Sequence, residues 1–251
     1  MSIWNFLKTK KVAEVPCPDA VPAPSKRFGE LRGAQSVVIA FCRRPNEADF
    51  TEAEKKRMLK KVEEATRWIS ERAEAWSVPV AFGRPVVLGK TAVFEYPKSF
   101  KENNSGLWRG VLSALHWGSP GLVHDSVRRQ QQSEHAVGLI LARGPGRSFA
   151  MPQRDQPLPA ALIYNREPTR VFAHELLHLY GADDLYAEGS FQQQAKTAKR
   201  LYSEREIMLS LEDLKECEIG PFTAFLLGWH AKENPEQRNQ WPSHFARLRR
   251  H

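Results

Sequence analysis

Apolar and polar positions are arranged in more than one period along this chain. Ser36–Cys42 (SVVIAFC), Ala136–Ala142 (AVGLILA) and Ala160–Tyr164 (AALIY) are short, nearly continuous apolar runs. Such runs predict strands buried on both faces. From Thr51 the pattern changes. Thr51-Glu52-Ala53-Glu54 is a capping box, and Met58, Val62, Ala65, Ile69, Ala73 and Trp76 then recur at three- and four-residue steps. That spacing predicts a long amphipathic helix.

Strand-like segments follow near Val78–Phe82 and Ala92–Tyr96. Gly106–Trp117 reads as a helix with Leu107, Val111, Leu112 and Leu115 on one side. A Gly- and Pro-punctuated stretch before Ala160 contains Arg147–Met151, read as a short edge strand. Pro168 opens a helix over Thr169–Tyr180, Ser190–Tyr202 reads as helical, and Pro221 begins a last helix to about Ala231. No internal repeat is present. The expected class is α+β, a twisted mixed sheet with long helices, over residues 34–234.

The flanks differ in character. Residues 13–25 carry Pro16, Pro18, Pro22 and Pro24 among small residues, an extended linker, and Ser2–Val12 before them reads as a short amphipathic helix. The net charge of +8 lies mostly in these flanks: +3 in residues 1–33, +3 in 235–251 and only +2 between them. Residues 1–33 and 235–251 are therefore read as basic tails. Arg247, Arg249 and Arg250 could touch phosphates or an anionic surface, but solvated tail charge accounts for them and no nucleic-acid partner is expected.

At 41% hydrophobic and 26% charged residues the composition is that of a globular chain. Three cysteines, Cys17, Cys42 and Cys217, exclude a fully paired disulfide framework. Near the N-terminus the apolar patch of Ile3, Trp4, Phe6 and Leu7 precedes Lys8, Lys10 and Lys11, the reverse of an export signal. No apolar run is long enough to span a bilayer. A cytoplasmic location is expected, and the oligomeric state is left open.

The chemistry concentrates in Val171–Tyr186, VFAHELLHLYGADDLY. His174 and His178 are four residues apart, about 40° apart on a helix and one turn along it, so both imidazoles can grip one metal ion. Glu175 lies beside them, where a carboxylate can take a proton from water at the metal. Chance produces HExxH about 0.02 times in a chain of this composition. Two solvated surface histidines are the bland alternative. Val171, Phe172, Leu176, Leu177 and Leu179 argue against it, because they mark the helix as buried. A catalytic zinc needs a third protein ligand. Gly181 can end the helix and turn the chain back, which lets Asp184 supply that ligand. Requiring the glycine and a following His or Asp lowers the chance expectation to roughly 10⁻⁴. Asp183 lacks the expected offset and reads as solvated or as supporting the ligands.

His174, Glu175, His178, Gly181 and Asp184 together read HExxHxxGxxD, which resembles the zinc signature of the metzincin metallopeptidases in its aspartate variant. Snapalysin-type enzymes carry that variant with a following D-x-Y, as in Asp184-Leu185-Tyr186. Glu206–Ser210 (EIMLS) is similar to the clan's Met-turn, with Met208 as the methionine below the metal. The resemblance implies a zincin fold, one catalytic Zn²⁺ on His174, His178 and Asp184, Glu175 as general base, and a peptide or protein substrate. It also implies that Gly146–Pro152 is an edge strand that pairs with extended substrate. Ser210 stands where astacin-like members have a tyrosine, so Tyr186 is the candidate to stabilise the tetrahedral intermediate, plain packing being the other reading. Cys17 sits where some members hold a latency cysteine, although its surroundings do not match that pattern. Two alternatives remain: a zinc-bearing peptide-binding module without catalysis, and a cytosolic HExxH peptidase acting on nucleic-acid-bound proteins.

Overall fold

The computed structural model describes residues 30–96, 106–151, 158–185 and 205–229. Strand β1 (Gly33–Arg43) is the centre of a seven-stranded mixed sheet. On one side β1 pairs in parallel with β5 (His135–Ala142), β5 with β7 (Ala160–Tyr164), and β7 in antiparallel sense with the edge strand β6 (Phe149–Met151). On the other side three short parallel strands follow one another along β1: β2 (Val80–Phe82), β3 (Val86–Val87) and β4 (Ala92–Val93).

The apolar runs are continuous because helices cover both faces. Val37, Ile39 and Phe41 of β1, with Val137, Leu139 and Leu141 of β5, enter one core, while Val38, Ala40 and Cys42, with Ala136, Ile140 and Ala142, enter the other. Successive side chains of a strand point to opposite faces, so each run serves two cores. The second core is closed by α2 (Leu107–Ala114) and α3 (Pro120–Gln131). There Trp108 packs so close to the sheet that a Cβ on Gly138 would lie 3.0 Å from its ring.

The first core lies under α1 (Glu52–Ala75) and α4 (Thr169–Leu179). Helix α1 starts on the capping box: the Thr51 hydroxyl accepts from the Glu54 N–H, and Glu54 accepts from the Thr51 N–H. Arg143, after β5, binds the same Glu54 carboxylate at 2.8 Å and holds it down to a pKa of about 2, so the helix start is tied to the sheet. Met58, Val62, Ala65, Ile69 and Ala73 form its buried stripe. Phe50 and Phe41 meet edge to face beneath it.

Several expectations need correction. Residues 30–32, assigned to the basic tail, belong to the folded body: Leu31 is fully buried, its N–H donates to the Leu227 carbonyl, and Arg32 donates to the Gly228 carbonyl. The strand expected over Ala92–Tyr96 ends at Val93, because Tyr96 turns in to donate its hydroxyl toward Glu47 and the Arg143 carbonyl. Helices α2 and α5 (Pro221–Leu226) are shorter than their apolar patterns suggested, and α3 and β3 were not anticipated. Ser2–Val12, the proline-rich linker, Ser190–Tyr202 and residues 235–251 lie outside the described residues. Among the described residues, no helix is long and apolar enough to cross a membrane.

Candidate metal centre

Helix α4 is buried along nearly its whole length, with Phe172, Ala173, Leu176 and Leu177 fully inaccessible. A helix wedged between a sheet, α1 and a following turn has little surface for solvated histidines, and His174 is only 6% exposed. The helix stops where the sequence put the stop. Gly181 has a φ of +99°, and the N–H groups of Gly181 and Ala182 close onto the carbonyls of His178 and Leu177. This left-handed C-terminal turn suits glycine and reverses the chain. Asp184 is thereby brought back over the helix.

Three side-chain atoms converge. The Nε2 atoms of His174 and His178 are 3.1 Å apart, and Asp184 Oδ1 lies 3.1 Å from the first and 3.2 Å from the second. The other ring nitrogens fix the tautomers. His174 Nδ1 donates to the Ile207 carbonyl at 3.2 Å, and His178 Nδ1 donates to the Ala182 carbonyl at 2.7 Å. A carbonyl can only accept, so each Nδ1 carries a proton, and on a neutral imidazole Nε2 then turns a lone pair to the shared point. Three acceptors facing one another require a cation among them. A proton satisfies one edge of this triangle; a divalent ion satisfies all three.

The donor set fits zinc. Tetrahedral coordination with bonds of about 2.0–2.1 Å places donors about 3.3–3.4 Å apart, close to the spacing here. Two imidazoles and a carboxylate, each imidazole held by a carbonyl behind it, would supply three of the four donors that tetrahedral zinc takes. Among the described residues no other group of three such side chains comes together.

The electrostatics favour a cation. Burial disfavours charge on both His178 and Asp184, but their mutual hydrogen bond outweighs it. His178 is raised to about 9 and Asp184 is held well below the usual carboxylate range. Glu175 is shifted the other way: burial raises its pKa against the pull of His174 and His178. Its Oε2 is buried and has no hydrogen-bond partner. A buried carboxylate oxygen with nothing to accept from is an expensive feature in a stable core.

Residues Arg205–Ser210 supply the support below. The N–H groups of Leu209 and Ser210 both close onto the Glu206 carbonyl, forming a tight turn with Met208 fully buried. The Ile207 carbonyl faces His174, and the Met208 carbonyl accepts from the Leu185 N–H at 2.9 Å. Arg170, one helical turn before His174, reaches the Ser210 carbonyl at 2.8 Å.

The structure thus brings together His174, Glu175, His178, Asp184 and the turn at Met208. Asp183 is exposed. Tyr186 and Cys17 lie outside the described residues. Cys42 is buried, and burial pushes its thiol up to about 12; Cys217 is buried too, its Sγ directed at the Asp213 carbonyl. Residue patterns did not single out Arg170, Glu206 or the two turn carbonyls, because backbone acceptors carry no sequence signal. No protein-family model matches this chain, and no curated protein matches it.

Proposed function

We propose that this chain is a zinc-dependent peptidase of the metzincin type. The observation that carries the reading is the convergence of His174, His178 and Asp184 within about hydrogen-bond distance of one another, beside the buried, partnerless oxygen of Glu175. The sheet supports it. Strand β6 is the last described strand on its side of the sheet and runs antiparallel to β7. An extended peptide laid along that edge would be aligned by main-chain hydrogen bonds that do not depend on its sequence.

His174, His178 and Asp184 would hold the ion. A zinc ion held there supplies Lewis acidity toward a substrate carbonyl and lowers the pKa of water. Glu175 takes the proton of the attacking water and passes it to the leaving amine nitrogen. The raised proton affinity that burial gives this carboxyl suits both halves of the transfer. The Ile207 and Ala182 carbonyls hold the Nδ1–H of each imidazole, which aims both Nε2 atoms at the shared point. Gly181 and the Met208–Leu185 hydrogen bond hold Asp184 in range without helical structure around it.

The test is cleavage of a peptide library by the zinc-loaded chain, with a chelator and with Glu175→Ala in parallel. Cleavage should vanish with chelator, and the variant should retain zinc while losing at least 10²-fold in turnover. Zinc-dependent cleavage at the wild-type rate by Glu175→Ala would remove the proposed base. A zinc-loaded wild type inert across the library would favour a binding module.

A further inference from the structure

We propose that Glu206 is a positioning residue of the metal centre, holding the Ile207–Met208 segment so that the carbonyls of these two residues fix His174 and the segment bearing Asp184; this rests on the zinc reading above. Glu206 is 1% exposed. A carboxylate buried to that degree must be fully engaged. Its Oε1 accepts from the Thr223 hydroxyl at 3.0 Å and, at 3.4 Å, from the Met208 N–H. Its Oε2 accepts from the Gly220 N–H. The side chain therefore bridges the turn and the start of α5.

The backbone of Glu206 does matching work. Its carbonyl takes the N–H groups of Leu209 and Ser210, which closes the turn. Either side of it, the Ile207 N–H donates to the Glu218 carbonyl and the Glu218 N–H to the Arg205 carbonyl. The Ile207–Met208 segment is consequently held from three directions. That segment is also the contact with the ligands: the Ile207 carbonyl sets the ring of His174, and the Met208 carbonyl binds the N–H of Leu185, next to Asp184. Two of the three proposed ligands are oriented from one short turn segment, and one buried carboxylate anchors that segment to α5. An apolar residue at 206 could fill the space but would orphan the donors of Gly220 and Thr223.

The chemistry of glutamine makes a discriminating variant. Glu206→Gln keeps the shape, but in either orientation its amide N–H₂ meets a backbone N–H, that of Gly220 or that of Met208, donor against donor. Thr223→Val removes a single donor at nearly constant volume. Three readouts are taken on the full chain: zinc affinity by chelator competition, the visible spectrum of the Co²⁺-substituted protein, and exchange of the His174 Nδ1 proton by NMR without metal. Glu206→Gln is expected to weaken zinc about 10–100-fold, shift the Co²⁺ bands and speed that exchange, with a smaller change of the same kind in Thr223→Val. Variants that melt earlier yet bind zinc and Co²⁺ as wild type does, with His174 exchange unchanged, would overturn the positioning role and leave Glu206 a structural staple. Wild type that takes up no stoichiometric zinc would overturn the metal reading itself, and this inference with it.

Discussion

Zinc binding should expel a proton from His178, and the affinity should show it. In the metal-free site, burial disfavours a charged His178, but its contact with Asp184, aided by Glu175, holds its pKa at about 9. At pH 7 the imidazole is therefore a cation shared with Asp184 across 3.2 Å. A ligand must be neutral, so zinc has to displace that proton. Over two pH units the displacement costs about 2.7 kcal/mol, or roughly a hundredfold in apparent dissociation constant. Apparent affinity is expected to rise about tenfold per pH unit between about pH 6.5 and 8.5, then level off above about 9, with close to one proton released per ion at neutral pH. Competition against a chelator of known protonation gives the slope. Calorimetry in two buffers of different ionisation heat gives the proton count. Asp184→Asn removes the partner that holds the charge, so it should both weaken binding and move the levelling point downward. A wild-type affinity flat from about pH 6.5 to 9 would refute the reasoning, because His178 would then already be neutral in the free protein.

Two predictions concern stability. A Cβ at Gly146 would stand 1.9 Å from Cζ of Tyr164, a buried ring also contacted by Tyr96 and Arg44, so Gly146→Ala should cost about 1–3 kcal/mol and lower Tm by roughly 2–10 °C; an unchanged Tm would show that the loop simply steps aside. Burial raises the Glu206 carboxyl to about 7, against the pull of its three donors. A folded-state pKa above the unfolded one stabilises at low pH, and that stability, about 3 kcal/mol, should be lost as pH climbs from about 4.5 through 7. Metal-free wild type should therefore lose Tm over that window relative to Glu206→Gln, and parallel curves for the two proteins would contradict the assignment.

What could be read from residues alone was whatever depends on local spacing. His174 and His178 meet because a helix places residues four apart on one side, and Gly181 allows the reversal that returns Asp184. The strands of β1, β5 and β7 were legible because burial on both faces leaves unbroken apolar runs. The opposite holds for α3: Ser119 and Pro120 mark a start, but only Pro120, Val123 and Val127 are buried, too few to set a helical period. Strand β3 is two residues long and exists through its pairing with Val38 and Ile39. Leu31 sat between Glu30 and Arg32 and read as tail, although its burial depends on contacts nearly two hundred residues away. Glu206 was hidden for the same reason, since Gly220 and Thr223 give it meaning only after the chain has folded.

The most direct measurement is zinc K-edge X-ray absorption on protein loaded with one equivalent of zinc, alongside His178→Ala. The account predicts one tightly held ion with a shell of nitrogen and oxygen only, at about 2.0 Å, containing two imidazoles in wild type and fewer in the variant. A sulfur shell near 2.3 Å, or uptake well below one equivalent, would contradict the claim that His174, His178 and Asp184 form the site.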